Sequence, residues 1–235
     1  YVSRLSHDHR YVSSALGRSH TCWHHTAVGN DVTSCFGNND LTQLGNPSRP
    51  SEPNSWSIQF AENSPFTRMD FVFGGADHNC VYATQERQGL WCWGANSSGQ
   101  TGRPSTEDAQ QPNVMVQETT GANALSDDPK VHDANDETTC FTRQSDQRIV
   151  CMGSNDQGII NPSDTAAAAD HIPRLAAVDP TGVTDLSLGL TTACAIARNL
   201  NEAPETPKRV MCWGGRSGGM TAQPITVSGP FSGTP

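Results

Sequence analysis

The sequence predicts an all-β fold, a β-propeller built from four four-stranded blades that close into a small ring or form an open arc. Three observations predict it. A phrase carrying a cysteine, a large apolar residue and a glycine recurs four times. A second cysteine phrase precedes each copy at a nearly constant interval. The residues between are short β-type runs joined by Gly, Pro and Asn turns, with no helical periodicity of useful length.

The late phrase reads VTSCFGNNDLTQLG around Cys35, LWCWGANSSGQTG around Cys92, IVCMGSNDQG around Cys151 and RVMCWGGRSGG around Cys212. The early phrase reads SHTCWHHT around Cys22, DHNCVYAT around Cys80, TTCFTRQ around Cys140 and TTACAIAR around Cys194. The early cysteines lie 58, 60 and 54 positions apart. A period of this length marks a repeat architecture, here a single domain with repeats near 1–45, 46–102, 103–160 and 161–235.

The elements follow in order. In the first repeat RYVSSALG is a strand, followed by the two cysteine strands. The second repeat reads PNSWSIQF, RMDFVFGG, NCVYATQ and LWCWG. The third reads PNVMVQET, KVHDAND, TCFTRQ and RIVCMG. The fourth reads IPRLAAV, VTDLSLG, ACAIAR and RVMCWG. Alternation and β-branched or aromatic enrichment argue for strands throughout. The helix-friendly DTAAAAD, Asp164–Asp170, is short and reads as a loop excursion. Four strands per unit describe a propeller blade, a small sheet that buries its faces only by stacking on neighbours. QPITV, Gln223–Val227, matches the first strand of a blade. It is expected to complete blade one and close the ring, or to complete the first blade of the next molecule. Alternatively, YVSRLS at the start supplies the missing strand and leaves QPITV spare.

Gly94, Gly153 and Gly214 stand at strand ends, where positive φ or close approach of the next blade calls for glycine. Trp93 and Trp213, with Phe36 and Met152 at the matching places, are assigned to inter-blade packing rather than ligand stacking.

The repeat also orders the cysteines. Each early–late pair flanks one hairpin on adjacent strands, close enough for a disulfide. The expected bonds are Cys22–Cys35, Cys80–Cys92, Cys140–Cys151 and Cys194–Cys212. Closing loops this short stabilises by about 3 kcal/mol each in the chain-entropy model, less any strain. Zinc favours close CxxC pairs, and none occurs. Disulfides persist in oxidising compartments, so the chain is expected outside the cell or at its surface. Asn96–Ser97–Ser98 reads either as an N-glycosylation acceptor, and so a site of covalent glycan, or as a chance match.

These repeats resemble those of the regulator of chromosome condensation family of β-propellers. That family's blades read as a strand ending in Gly, a His-Ser or His-Thr step, a short strand, a turn, then an aromatic-Gly-x-Asn-x-x-Gly-Gln phrase. LGRSHTC, GGADHNC and VTDLSLGLTTAC resemble the first part; WCWGANSSGQTG and CFGNNDLTQLG resemble the second. The third repeat departs, since VHDANDETTC lacks the Gly. The paired cysteines resemble the extracellular branch. The resemblance implies an interaction platform. It also implies a structural hydrogen bond for His20 and His78. The family usually has seven blades, which leaves open a closed small ring, strands shared between subunits, or a piece of a longer propeller.

Bulk properties narrow the function. The 235 residues carry a net charge of −9 and no basic cluster, which argues against nucleic-acid binding. The acidic run Ser126–Glu137 has partial calcium-loop spacing, but Thr138 stands where the tight-turn Gly belongs. No apolar run approaches a membrane span. Tyr1 in place of Met reads as the start of a processed or excised chain. No GxSxG, P-loop or HExxH motif occurs. His7–Asp8–His9 is the best metal pair and a weak one; His24 and His25 face opposite ways on a strand. No catalytic residue, metal or cofactor is expected. The expectation is an extracellular, non-catalytic interaction or structural module, with a protein partner or self-association into a surface filament or coat. The alternative is a secreted inhibitor or receptor-like binder of an extracellular enzyme, with Trp56 and Phe66 as candidate aromatic anchors.

Overall fold

A computed structural model describes residues 9–27, 30–47, 51–57, 69–83, 89–104, 131–143, 147–161, 170–175, 180–199, 201–215 and 223–224. Among these residues there are fifteen β-strands and no helix. They form four antiparallel sheets, each a meander in chain order.

Blade 1 contains β1 (His9–Leu16), β2 (His20–Ala27), β3 (Asn30–Gly37) and β4 (Glu52–Ser57). Blade 2 contains β5 (Met69–Gly74), β6 (His78–Ala83) and β7 (Gly89–Gly94). Blade 3 contains β8 (His132–Ala134), β9 (Thr138–Thr142), β10 (Ile149–Gly153) and β11 (Asp170–Leu175). Blade 4 contains β12 (Pro180–Leu188), β13 (Thr192–Asn199), β14 (Arg209–Gly214) and β15 (Gln223–Pro224). PNVMVQET lies outside the described residues, so blade 2 has three strands among them. YVSRLS and residues 164–169 also lie outside.

Strand membership differs from expectation. The PNSWSIQF strand does not open the second blade. It pairs with β3, setting Cys35 opposite Trp56, and so is the outer strand of blade 1. The IPRLAAV strand pairs with β10 in blade 3, and the QPITV strand with β14 in blade 4. Blades 2 and 4 therefore begin one strand later than the repeat boundaries at 46 and 161. The reason is local. The turn after the late cysteine reverses the chain, so the next β-run returns antiparallel along the strand just laid down. The described part of QPITV, Gln223–Pro224, therefore lies in blade 4 rather than in blade 1; its remaining residues lie outside the described residues.

The turn has a recurring clip. Asn39 Nδ2 donates to the Asn46 carbonyl, while its Oδ1 accepts from Leu44 N. Asn96 bonds the Arg103 and Pro104 carbonyls and Thr101 N in the same manner, and Asn155 bonds the Asn161 carbonyl and Ile160 N. A carboxamide supplies both a donor and acceptor on one short stem, which is what a tight turn needs to satisfy its own backbone.

The strand-end glycine also has one cause in all four blades. Gly37, Gly94, Gly153 and Gly214 have φ of 113°, 102°, 112° and 98°. A Cβ there would meet the carbonyl of Ser19, Asp77, Glu137 or Thr191 at 2.1–2.6 Å. The crowding partner is the blade's own inner turn, not the next blade. The following residue donates its N–H to that same carbonyl, as Ala95 N does to Asp77 O at 2.9 Å.

Apolar packing runs blade to blade. One buried cluster joins blades 1 and 2, a second joins 2 and 3, and a third joins 3 and 4. No buried cluster joins blade 4 to blade 1 among the described residues. Among the described residues three seams join the four blades. Burial agrees: β6, β7, β9 and β10 are buried at every position, being sandwiched, whereas β13 and β14 alternate between buried and accessible.

Candidate interaction surface: seams and end faces

Every seam joins two different kinds of face. The cystine face of one blade meets the aromatic face of the next. In blade 2, Cys80, Tyr82, Leu90 and Cys92 point toward blade 3, while Val81, Trp91 and Trp93 point toward blade 1. This is the two-residue alternation of a strand.

The cystines lie on the first kind of face. Disulfides join Cys22–Cys35, Cys80–Cys92, Cys140–Cys151 and Cys194–Cys212, each across directly paired residues with Cα atoms 4.1–4.2 Å apart. These are the four pairs that the repeat sets out. The first three are buried beneath the next blade. Cys194 and Cys212 are only half-buried, because no described blade follows blade 4.

The residues assigned to inter-blade packing lie on the second kind. Trp93, Met152 and Trp213 are fully buried against the preceding blade. Phe36 is the exception. It holds the same register position but is 36% exposed, with only an edge-to-face contact to Trp23 at 5.7 Å. Among the described residues no blade packs on this face of blade 1.

Hydrogen bonds thread the seams in a repeated circuit. His20 Nε2 lies 3.0 Å from Asn79 Oδ1, and Asn79 Nδ2 donates back to the Gln43 carbonyl at 2.9 Å. Since Asn79 donates from nitrogen, its oxygen faces the imidazole, so His20 carries its proton on Nε2. At the next seam His78 Nε2 lies 2.7 Å from Thr139 Oγ1, which donates to the Gln100 carbonyl at 2.8 Å. Thr139 has one proton and gives it to Gln100, so His78 also donates from Nε2. Both circuits start in one blade, cross to the next and return to the first blade's turn. Burial lowers the pKa of both histidines; for His78, nearby His20 adds to the effect and the value falls to about 3. Both are therefore neutral near pH 7.

The third seam lacks this circuit, since Thr138 and Ala193 replace its histidine and its relay. Asp133 Oδ2 instead accepts from Leu188 N at 2.7 Å, and Trp213 Nε1 donates to the Ile159 carbonyl at 2.7 Å. Burial raises the Asp133 pKa, partly offset by hydrogen bonds from Leu188 and Ala134. Asp133 thus belongs to the third seam. The inner turns also interlock. Arg18 N donates to the Ala76 carbonyl at 2.7 Å, and Asn135 Nδ2 to the Gly189 carbonyl at 2.9 Å. A Cβ on Gly75 would lie 1.7 Å from the Asn135 carbonyl, so blades 2 and 3 approach there through glycine.

The place of Asn96 bears on the two readings of its sequon. Its side chain is buried and its amide nitrogen is committed to two backbone carbonyls. A glycan on that nitrogen would require the turn to open. The repeated Asn was legible as part of a phrase, but its clip role was missed. The signal was its fixed place four residues after the late cysteine, at Asn39, Asn96 and Asn155.

The remaining candidates do not assemble a chemical site. His24 is buried on the cystine face, while His25 stacks on Trp23 on the opposite face. His9 begins β1; His7 and Asp8 lie outside the described residues, as does Phe66. Trp56 sits in β4. A cavity of about 300 Å³ between blades 3 and 4 is edged by Asp136, Glu137, Asp156 and Leu190. Among the described residues no group of three or more His, Cys, Asp or Glu is placed to hold a metal, and no helix is long and apolar enough to cross a membrane.

No family model matches the chain, and no curated protein matches it in sequence. Solved structures match it in fold. Human WBSCR16 aligns with a TM-score of 0.66 at 16% identity, over 90% of this chain and 49% of that one. Prp20p from Saccharomyces cerevisiae, described with its binding to Gsp1p and histones, gives 0.60 at 16%, over 90% and 47%. The receptor kinase CR4 ectodomain from Physcomitrella patens gives 0.50 at 15%, over 91% and 42%. The chain thus spans about half the length of these structures. The fold is that of the regulator of chromosome condensation-like propellers.

Proposed function

We propose that this chain is an extracellular, non-catalytic propeller module that works by binding protein, including further copies of itself in a surface filament or coat. The observation that carries the reading is the use of its reactive groups. All eight cysteines are bonded within blades, and the buried His20 and His78 and the half-buried Asp133 serve the seams. What remains on offer among the described residues is surface, and turns and loops on a braced scaffold are where binding commonly resides. Four cystines favour an oxidising compartment. Proteins of the same fold include a binder of Gsp1p and histones and a receptor ectodomain, which supports an interaction role.

The second reading, a secreted inhibitor or receptor-like binder of an extracellular enzyme, shares these supports and differs in the partner. Crosslinking on intact source cells, with thiols blocked at lysis, tests both. The proposal expects a fully oxidised chain outside the cell, crosslinked to protein. Crosslinks to itself favour assembly; crosslinks to one enzyme favour the second reading. A reduced chain inside the cell overturns both.

A further inference from the structure

His20, His78 and Thr138 hold one register, each paired with the strand-end glycine of its hairpin. At the first two seams this position carries an imidazole that bonds the next blade. At the third seam Thr138 is small and turns back on its own blade, its Oγ1 donating to the Ser154 carbonyl at 2.9 Å. Thr138, Ile159, Leu190 and Thr191 are among the walls of the cavity of about 300 Å³ at this seam. Its rim carries Asp136, Glu137 and Asp156, and no Lys, Arg or His lines it among the described residues. Both walls are blades of this chain, so the groove belongs to an internal seam.

An apolar floor beneath a carboxylate rim suits a side chain with a long aliphatic stem and a cationic head. The chain's own inner turns hold such a group. The Arg18 guanidinium reaches across from blade 1, with Nη1 3.4 Å from Asp77 and Nη2 2.8 Å from Asp136. Carboxylates of two successive inner turns thus share one guanidinium, whose planar fork matches paired carboxylates better than an ammonium does. Arg18 offsets one of the three rim charges; Glu137 and Asp156 stand exposed at the mouth.

We propose that the groove between blades 3 and 4 is a docking site for an arginine side chain of a partner protein, its stem over Ile159 and Leu190 and its guanidinium at the Glu137 and Asp156 rim. This names the partner's chemistry within the protein-binding reading and rests on it.

The test titrates the isotope-labelled full chain with N-acetyl-arginine amide and follows backbone amide shifts by NMR, with the lysine and citrulline analogues alongside. The arginine probe is expected to shift Glu137, Thr138, Gln157 and Thr191 saturably, and the lysine analogue to bind more weakly. Citrulline keeps the shape and loses the charge, so it should cause no saturable shift. Glu137→Gln/Asp156→Asn should weaken arginine binding about tenfold, as loss of charge-assisted hydrogen bonds implies. No saturable shift with arginine, equal binding of citrulline or lysine, shifts centred on another seam, or unchanged affinity in the double variant overturns the proposal. If the double variant loses its native melting transition, the comparison of arginine with citrulline on wild type decides alone. Crosslinking on source cells, with the double variant expressed in place of wild type, separates this contact from the broader reading. Loss of the wild-type crosslink supports the groove. A variant that still crosslinks in full to the same protein removes the groove as docking site and leaves the protein-binding reading intact, whereas a wild type that crosslinks to no protein overturns both.

Discussion

Phe36 and Trp93 hold the same position in successive blades, yet Trp93 is fully buried and Phe36 is 36% exposed. Both follow the late cysteine of their hairpin by one residue, and both lie on the face that points toward the preceding blade. Trp93 has blade 1 to pack on, and its indole Nε1 donates to the Gln43 carbonyl at 3.0 Å. Phe36 has no described blade before it.

Replacement of these two residues should therefore have unequal effects. Trp93→Ala should cost about 3–5 kcal/mol, as expected for removing a fully buried aromatic side chain. Phe36→Ala should cost well under half of that in the monomer. Chemical denaturation of both variants gives the comparison, and equal losses would contradict an open first face.

Acid should weaken the seams. His78 is neutral in the fold, with its pKa pushed down to about 3, and takes a proton near 6.5 once unfolded. The unfolded state then binds more protons between those values, so stability is full above about 6.5 and falls as pH drops toward 3. The slope is at most about 1.4 kcal/mol per pH unit for this residue. His20, lowered by the same burial, acts in the same direction. Denaturation midpoints from pH 7 to pH 4 should fall in wild type and fall less in His78→Gln.

Reduction should begin at one end. The Cys194–Cys212 bond is half-buried, whereas the other three are covered by a following blade. Mild reductant followed by alkylation should label Cys194 and Cys212 first. Early label on Cys80 or Cys92 would mean that the central blades open before the last one.

The Asn96 turn should carry no glycan and should be sensitive to loss of its amide. Asn96→Ala removes the donor to two carbonyls and the acceptor for Thr101 N, leaving buried backbone groups unpaired at a cost of about 1–3 kcal/mol. Peptide mass spectrometry of secreted protein checks the first point and thermal melting the second. An occupied Asn96 would show that this turn is open in the cell.

The hairpins were legible because cysteine, apolar residue and glycine recur at fixed spacing, and each constrains a backbone position that the others confirm. Strand membership was not. PNSWSIQF lies between two hairpins and is apolar enough to pair with either; in the fold it returns along β3 after the turn that Asn39 clips. The seam circuits were half legible. His20 and His78 stood at matched positions, but Asn79 and Thr139 share no residue type, so their common relay role shows only in three dimensions. Exposure at the ends was invisible because Phe36 and Trp93 read alike in sequence and differ only in what stands beside them.

An oxidised scaffold that works outside the cell should hold each blade closed by its own cystine in the protein as it occurs. Non-reducing peptide mapping of protein taken from its source, with thiols blocked at collection, reads this out. The expected bonds are Cys22–Cys35, Cys80–Cys92, Cys140–Cys151 and Cys194–Cys212, with no free thiol. Free cysteines or bonds between blades would contradict an oxidised extracellular scaffold.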